Sequence, residues 1–166
     1  ALAIVILLVV AIPAAYVLGR FNFKFKKQIN GLFMAGLFIN VNYIVIPIFL
    51  MLLSWNKAAK GILHVDLFIN NQFTLAVVYA ATALPFTIYL LQGFFQTLPT
   101  AFEEAASIDG CNHFQTMTKI MIPMAKPSII TIILFNFLSF WNEYIIALTL
   151  MSGKTKTLPV GLINLQ

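Results

Sequence analysis

The sequence predicts an all-α protein whose helices form a transmembrane bundle. Hydrophobic residues make up 61% of the chain and charged residues only 9%, whereas about a quarter of the residues in soluble proteins are charged. Long windows also lack charge, and a spanning helix needs roughly 20 apolar residues to cross a hydrocarbon core about 30 Å thick. These windows are too long and too continuous for barrel strands of about 10 alternating residues.

Four apolar windows, taken in chain order, predict four spans within a single transmembrane domain of residues 1–166. The predicted spans are residues 1–19, 31–54, 73–95 and 128–151. The first window begins like a secretory signal, but its basic residues follow the apolar run instead of preceding it. We therefore interpret it as a span. Because the chain also lacks an initiator Met and stops after a polar stretch, we expect it to be part of a longer protein.

Basic residues predict the orientation of these spans. The loop "RFNFKFKKQIN" carries Arg20, Lys24, Lys26 and Lys27, and basic residues close to span ends are retained in the cytoplasm. From that anchor the second span runs outward and the third returns, which places a segment of about residues 97–124 on the cytoplasmic side. The net charge of +5 does not indicate nucleic-acid binding, because the basic residues form no recognition module.

The chain shows no pattern of residues typical of catalysis or metal binding. Its two histidines, His64 and His113, stand alone, and Cys111 is its single cysteine, so there is no Cys/His cluster at metal-ligand spacing. Phosphate-binding loops, dinucleotide fingerprints and serine-nucleophile elbows are also missing. We therefore expect the chain to be no enzyme and to hold no metal or cofactor.

The polar stretch from Thr100 to Pro127, "TAFEEAASIDGCNHFQTMTKIMIPMAKP", interrupts the apolar windows and holds three of the five acidic residues. Thr100 and Glu103 have the spacing of a capping box, which predicts a helix starting near Ala101. Gly110 predicts its end, because glycine tolerates a left-handed helix stop. Asn112 is placed to cap a second helix.

The first of these predicted helices needs something to hold it, because two or three turns are unstable alone in water. Its alanines allow close approach to a neighbour, and its carboxylates offer charge-assisted hydrogen bonds to basic groups. This combination suits a helix that docks into a groove of another protein. An ordinary polar loop on the cytoplasmic side is the open alternative.

The same stretch resembles the EAA motif of permease subunits in ABC importers. Glu104-Ala105-Ala106 is followed after three residues by Gly110, and after nine more by Ile120, one residue, and Ile122-Pro123. Every spacing of the family pattern is met, with Ile122 where leucine is usual. The segments "FTIYLLQGFFQTLPTAFEEAASIDG" and "FLSFWNEYIIALTLMSGKTKTLPVGL" resemble the MalG-like carbohydrate-uptake branch of these permeases. Glu143 departs from that branch, where Asp is commoner.

The resemblance implies a MetI-like permease fold with about six spans in the full chain. It further implies half the pathway of an ATP-driven, binding-protein-dependent importer for sugars or oligosaccharides, in the cytoplasmic membrane of a bacterium or archaeon. The implied partners are a cytoplasmic ATPase dimer that binds the ATP, a second permease subunit and an extracytoplasmic sugar-binding protein. Residues 101–107 would be the coupling helix, with Glu104 as its main charged contact. The ATPase-coupling residues carried over are Glu103, Glu104, Ala105, Ala106, Asp109, Gly110, Ile120 and Pro123.

A polar stripe in the fourth predicted span is the candidate substrate passage. Asn136, Ser139, Asn142 and Glu143 follow one another at helical spacing. An ionisable group inside a span costs roughly 2.5 to 3.5 kcal/mol on insertion scales and is by default a candidate functional site. The stripe suits the hydroxyls of a sugar, and Trp141 and Tyr144 nearby suit its apolar ring faces. Bonding to neighbouring helices is the equally open alternative.

Three other functions stay open as alternatives. A permease for amino acids, peptides or phosphate would share the EAA motif. A membrane-embedded enzyme would need two or more acids or histidines converging at one depth, and Glu143 is the one acid inside a predicted span. An ion channel or a structural membrane subunit predicts no spacing rule in the polar stretch, and the EAA match therefore speaks against it.

Overall fold

A computed structural model of the chain describes residues 1–63, 71–143 and 145–150, which form helices and no strands. This confirms the predicted all-helical fold class. The elements in chain order are α1 (Leu2–Arg20), α2 (Lys26–Leu37), α3 (Val41–Leu63), α4 (Gln72–Thr97), α5 (Ala101–Ile108), α6 (His113–Thr116), a π-helical turn (Met117–Met121), α7 (Ile122–Met124), α8 (Lys126–Asn142) and α9 (Ile145–Leu150).

The bounds of the apolar helices in the structure differ from those of the predicted spans. In the described part of the chain, α1 and α4 are each long and apolar enough to cross a membrane. A third crossing is possible if the helices of residues 113–124 and 126–142, which are bent by 73° to one another, form one span. The predicted second span is divided between α2 and α3, and the described side chains of α3 include a shorter apolar stretch, Tyr43–Lys57. A hydropathy window sums over residues and does not register such breaks.

The chain forms two compact units. The first comprises residues 1–6, 39–82 and 136–166, and in its described part α3, α4 and α9 bury a common core around Val45, Leu52, Leu75 and Ala147. Tyr79 of α4 stacks on Phe140 of α8 at 5.2 Å between ring centroids.

The second unit comprises residues 7–38 and 83–135, and α1 packs on α4 within it. Leu7, Ala11 and Ala15 recur every four residues along α1 and are fully buried, which defines one packed face. The helix backbones approach closely at Gly19, where an added Cβ would lie 3.4 Å from the Gln92 carbonyl oxygen. This unit also contains the polar stretch that the sequence singles out.

Many large apolar side chains stay exposed on the chain by itself. They include Leu32 on α2, Phe38 after it and Ile46 on α3, each more than two-thirds exposed. Large apolar side chains exposed in such number are what lipid or a partner subunit covers. The protein is therefore a membrane protein, in agreement with its composition.

Candidate functional site

The short helix α5 ends in a hydrogen-bonded turn built on a glycine. The Cys111 amide donates to the Ala106 carbonyl oxygen at 2.9 Å, and the Gly110 amide donates to that of Ser107 at 3.1 Å. Gly110 has φ of +79°, the left-handed region in which residues with a Cβ are disfavoured. These are the two bonds of a Schellman motif, so the predicted glycine stop is confirmed. The turn fixes the orientation of α5 relative to the segment that follows it.

The predicted capping box at the start of α5 is wrong. Thr100 has helical φ and ψ angles of −64° and −24°, and its side chain makes no capping hydrogen bond. The Glu103 carboxylate points instead to Arg20 and Tyr16 on α1. A hydrogen bond from a guanidinium is charge-assisted on both sides and is stronger than one from a neutral amide, so the more distant partner wins.

The predicted cap of the second helix is confirmed. The Gln115 amide donates to Asn112 Oδ1 at 2.8 Å, and the Asn112 amide donates in return to Gln115 Oε1 at 3.0 Å. The chain continues from α6 through a π-helical turn into α7 and stays helical as far as Met124. Met121 in this turn is fully buried, whereas Ile120 is half-buried and Pro123 is exposed.

Arg20 at the end of α1 connects three parts of the second unit. Its Nη2 and Nε lie 2.8 Å and 3.0 Å from Glu103 Oε2. Its Nη1 donates to the Leu98 carbonyl oxygen at 2.8 Å and more weakly to that of Phe95 at 3.3 Å, both at the carboxyl end of α4. Tyr16, one turn earlier on α1, donates its hydroxyl to Glu103 Oε1 at 3.0 Å. Both carboxylate oxygens of Glu103 therefore have partners.

Glu103 and Ala106 form the inner face of α5. Ala106 is 1% exposed and lies one turn after Glu103, on the same side of the helix. We call a set of exposed residues on the other side the outer face of α5: Phe102, Glu104, Ala105 and Ile108, with Asp109 directly after the helix. Of the two alanines of the motif, Ala105 is exposed and Ala106 is buried.

The predicted stripe in the fourth span lies in the first unit and does not share one environment. Asn136 is buried, Ser139 and Asn142 are exposed, and Glu143 is half-buried. Because α8 ends at Asn142, Glu143 follows it and accepts from the Ile145 and Ile146 amides at 3.0 and 3.2 Å. Its carboxylate thus caps α9. Tyr144 lies outside the described residues.

Comparison with known proteins identifies the family. The family described as "Binding-protein-dependent transport system inner membrane component" matches residues 11–165. The chain belongs to this family. A relative from Caldicellulosiruptor sp. (strain Rt8B.4), "Putative ABC transporter permease protein ORF2", is 33% identical over 166 residues, covering 99% of this chain and 56% of the relative.

Further relatives of this inner membrane component carry more specific names. The "Diacetylchitobiose uptake system permease protein NgcG" of Streptomyces coelicolor is 33% identical over 154 residues, covering 93% of this chain and 47% of the relative. The solved structure of a bacterial ABC transporter that imports the acidic polysaccharide alginate matches with a TM-score of 0.74 at 27% identity, covering 90% of this chain and 48% of that one. The chain spans about half the length of the curated relatives it matches.

The structure of this inner membrane component divides the residues of its EAA motif by environment. Glu104 and Ala105 lie on the outer face of α5, and Ala106 is buried beneath it. Sequence reasoning missed Tyr16 and treated Arg20 only as a marker of orientation. The available signal was their spacing, since residues four apart at a helix end lie on one face.

Proposed function

We propose that the chain is part of the transmembrane permease subunit of an ATP-driven importer for sugars or oligosaccharides. The family membership supports an importer that works with a binding protein. The sugar assignment is supported by the names of relatives, which include permeases for diacetylchitobiose uptake and for sulfoquinovosyl glycerol transport. The subunit would form half the passage, in the cytoplasmic membrane of a bacterium or archaeon, with several spans and with residues 97–124 on the cytoplasmic side.

The observation that carries the proposal is the outer face of α5. A two-turn helix is too short to be stable by itself in water, yet α5 is anchored through Glu103 and ends in a fixed turn at Gly110. Its exposed side presents Phe102, Ala105 and Ile108 around the Glu104 carboxylate. Apolar and small residues around one acid suit a groove with a basic group at its base. Because Glu103 is bonded to Arg20, Glu104 is the exposed acid of α5 that can bind a basic group of the partner.

The partner of this face would be a subunit of a cytoplasmic ATPase dimer. ATP binding would draw the two ATPase subunits together and move the docked α5, and with it the spans, so that the cavity opens toward the extracytoplasmic sugar-binding protein. Hydrolysis would return the pore to its inward-facing state. A second permease subunit would supply the other half of the passage. All covalent chemistry belongs to the ATPase, so the permease itself would bind no ATP and act as no enzyme.

The test uses the full-length permease co-expressed with its partner permease, ATPase and binding protein. Glu104→Ala removes the proposed contact, and Glu104→Gln keeps its shape without its charge. Gln28→Ala is the control, because Gln28 is an exposed polar residue of α2 on the same predicted side. The readouts are retention of the ATPase on the solubilised complex and uptake into vesicles from a panel of oligosaccharides, amino acids, peptides and phosphate.

We expect Glu104→Ala to weaken ATPase retention about tenfold or more, since a hydrogen bond to a charged group contributes about 1.5 to 3 kcal/mol. Glu104→Gln should have a smaller effect in the same direction, and Gln28→Ala should behave as the unaltered protein. Undiminished retention and uptake in both Glu104 variants would contradict α5 as the docking element. Uptake of an amino acid, peptide or phosphate, and of no oligosaccharide, would replace the sugar assignment by the alternative solute class.

A further inference from the structure

We propose that Arg20 and Tyr16 are positioning residues for coupling, which hold Glu103 so that α5, the end of α4 and the end of α1 move as one piece. This inference rests on the proposed function and extends it to residues outside the EAA motif. Its basis is a single guanidinium with contacts to two other helices, namely Glu103 on α5 and the Leu98 carbonyl after α4. A displacement of α5 by the ATPase would then reach the spans directly.

Arg20 holds the short connection between α4 and α5. The last carbonyl groups of a helix have no partners within it, and a cation there is favourable. Arg20 donates to Phe95, Leu98 and Pro99, at 3.3, 2.8 and 3.4 Å. It thus holds the three-residue connection (98–100) that would otherwise act as a hinge. A force on α5 cannot be absorbed there without breaking these bonds.

α5 itself is held at two points through Glu103. Arg20 and Tyr16 engage different oxygens of the Glu103 carboxylate, and two attachment points prevent α5 from turning about a single bond. Tyr16 is in turn fixed by edge-to-face contacts with Phe21 and Phe95, at 5.6 and 5.8 Å between ring centroids. Phe21, directly after α1, also contacts His113 at the start of α6, with 5.1 Å between the ring centroids.

The Arg20–Glu103 ion pair lies in a largely dry environment. The Arg20 side chain is only 7% exposed and that of Glu103 25% exposed, so both lose much of their hydration. Desolvation offsets most of the attraction of such pairs, and apolar replacements often leave stability unchanged. The pair is therefore a poor source of net stability, but it fixes geometry, because the planar guanidinium binds a carboxylate in a defined orientation.

The experiment measures the number of ATP molecules hydrolysed per sugar taken up, in proteoliposomes containing the complete transporter. Glu103→Gln keeps the shape of the side chain and removes its charge. Tyr16→Phe removes one hydrogen bond and keeps the ring with its contacts to Phe21 and Phe95. Lys24→Gln is the control, because Lys24 is an exposed basic residue of the same loop. ATPase retention is measured in parallel for every variant.

We expect all variants to keep the ATPase bound, while Glu103→Gln raises the ATP consumed per sugar by about fivefold or more, the lower end of energetic coupling between sites. Tyr16→Phe should raise it by a smaller factor, and Lys24→Gln should not change it. A purely structural role would lower the amount of complex but leave this ratio unchanged, because every assembled transporter would still couple normally. The ratio therefore separates the two roles.

An unchanged ratio in both Glu103→Gln and Tyr16→Phe overturns the inference, whatever happens to the yield. If Glu103→Gln fails to assemble, Tyr16→Phe is the deciding variant. A raised ratio of ATP to sugar in Tyr16→Phe would then support the inference, and an unchanged ratio would contradict it. Loss of ATPase retention in Glu103→Gln at an unchanged ratio would assign Glu103 to the docking surface and overturn the inference as well. Failure of the proposed function is distinct, because the unaltered transporter would then take up no sugar, and the inference as stated would fall with it.

Discussion

Replacing Gly110 by alanine tests whether the left-handed turn aims α5. An added Cβ at Gly110 would meet no atom within 4 Å, so the substitution introduces no clash and its effect is confined to the backbone. The φ angle of +79° costs a residue with a Cβ roughly 1 to 2 kcal/mol. Alanine recovers about 0.4 to 1 kcal/mol by restricting the unfolded chain only where its native conformation is unstrained, which is not the case here.

The expected cost is therefore about 1 kcal/mol, which corresponds to an opening of the turn that is about five times more frequent. Hydrogen exchange on the solubilised complex measures how often the turn opens. It follows the backbone amides of residues 110 and 111, which donate to Ser107 and Ala106. We expect these amides to exchange about five times faster in Gly110→Ala. Asparagine tolerates the left-handed region better than alanine. The exchange rate of Gly110→Asn should therefore lie between those of the unaltered protein and Gly110→Ala.

Gly31→Ala is the matched control for this experiment. Gly31 lies within α2, where an added Cβ also meets no atom within 4 Å, but its backbone is helical and alanine should stabilise it by roughly 0.5 to 1 kcal/mol. The two substitutions should thus have opposite signs. The reasoning is refuted if the turn amides of Gly110→Ala exchange at the unaltered rate, or if both glycine variants change stability in the same direction.

Three further predictions concern packing, orientation and the cap of α9. Gly36→Ala should destabilise the protein relative to Gly31→Ala, because its Cβ would lie 3.0 Å from Cγ of the rigid Pro85 ring; thermal unfolding of the solubilised protein measures this, and equal melting temperatures would contradict it. A membrane-impermeant maleimide should label Cys111 in inside-out vesicles and not in right-side-out ones, with the modified peptide identified by mass spectrometry; the reverse pattern would invert the predicted orientation. Glu143→Ala should lower stability by about 1 kcal/mol through loss of the α9 cap, and Glu143→Gln by less, since its amide oxygen still accepts; an equal loss in both variants would assign the effect to charge instead of capping.

Features that depend on neighbours in sequence were predictable from the sequence. The apolar composition dictates membrane helices, since every backbone polar group must be satisfied within the lipid and helices do this internally. The glycine stop at Gly110 and the cap at Asn112 both act within five residues. Such local bonds form whatever the rest of the chain does, and the motif spacing around them led directly to the family that the comparisons show.

The breaks in the helices were not predictable from hydropathy. The predicted second span includes the break between α2 and α3, at residues 38–40, and within the predicted fourth span α8 ends at Asn142. Hydropathy averages over a window, and an apolar residue contributes equally whether its backbone is helical or not. Glu143 was accordingly assigned to a continuous stripe, whereas it caps the helix that follows the break. Its role in a substrate passage stays a prediction.

Only the tertiary structure decided the partner of Glu103. The sequence offered a capping partner three residues away, and the folded chain offered Arg20 across 83 residues. Packing α1 against α4 brings the guanidinium beside α5 and removes water from around it, and a charge-assisted bond in a partly dry site outweighs a bond to an exposed backbone amide. Composition and local spacing thus set the membrane class, the short helix and its stop. The folded chain decided that Glu103 is bonded and Glu104 is exposed. The reason is that only folding brings Arg20 close enough to compete with the local capping partner of Glu103.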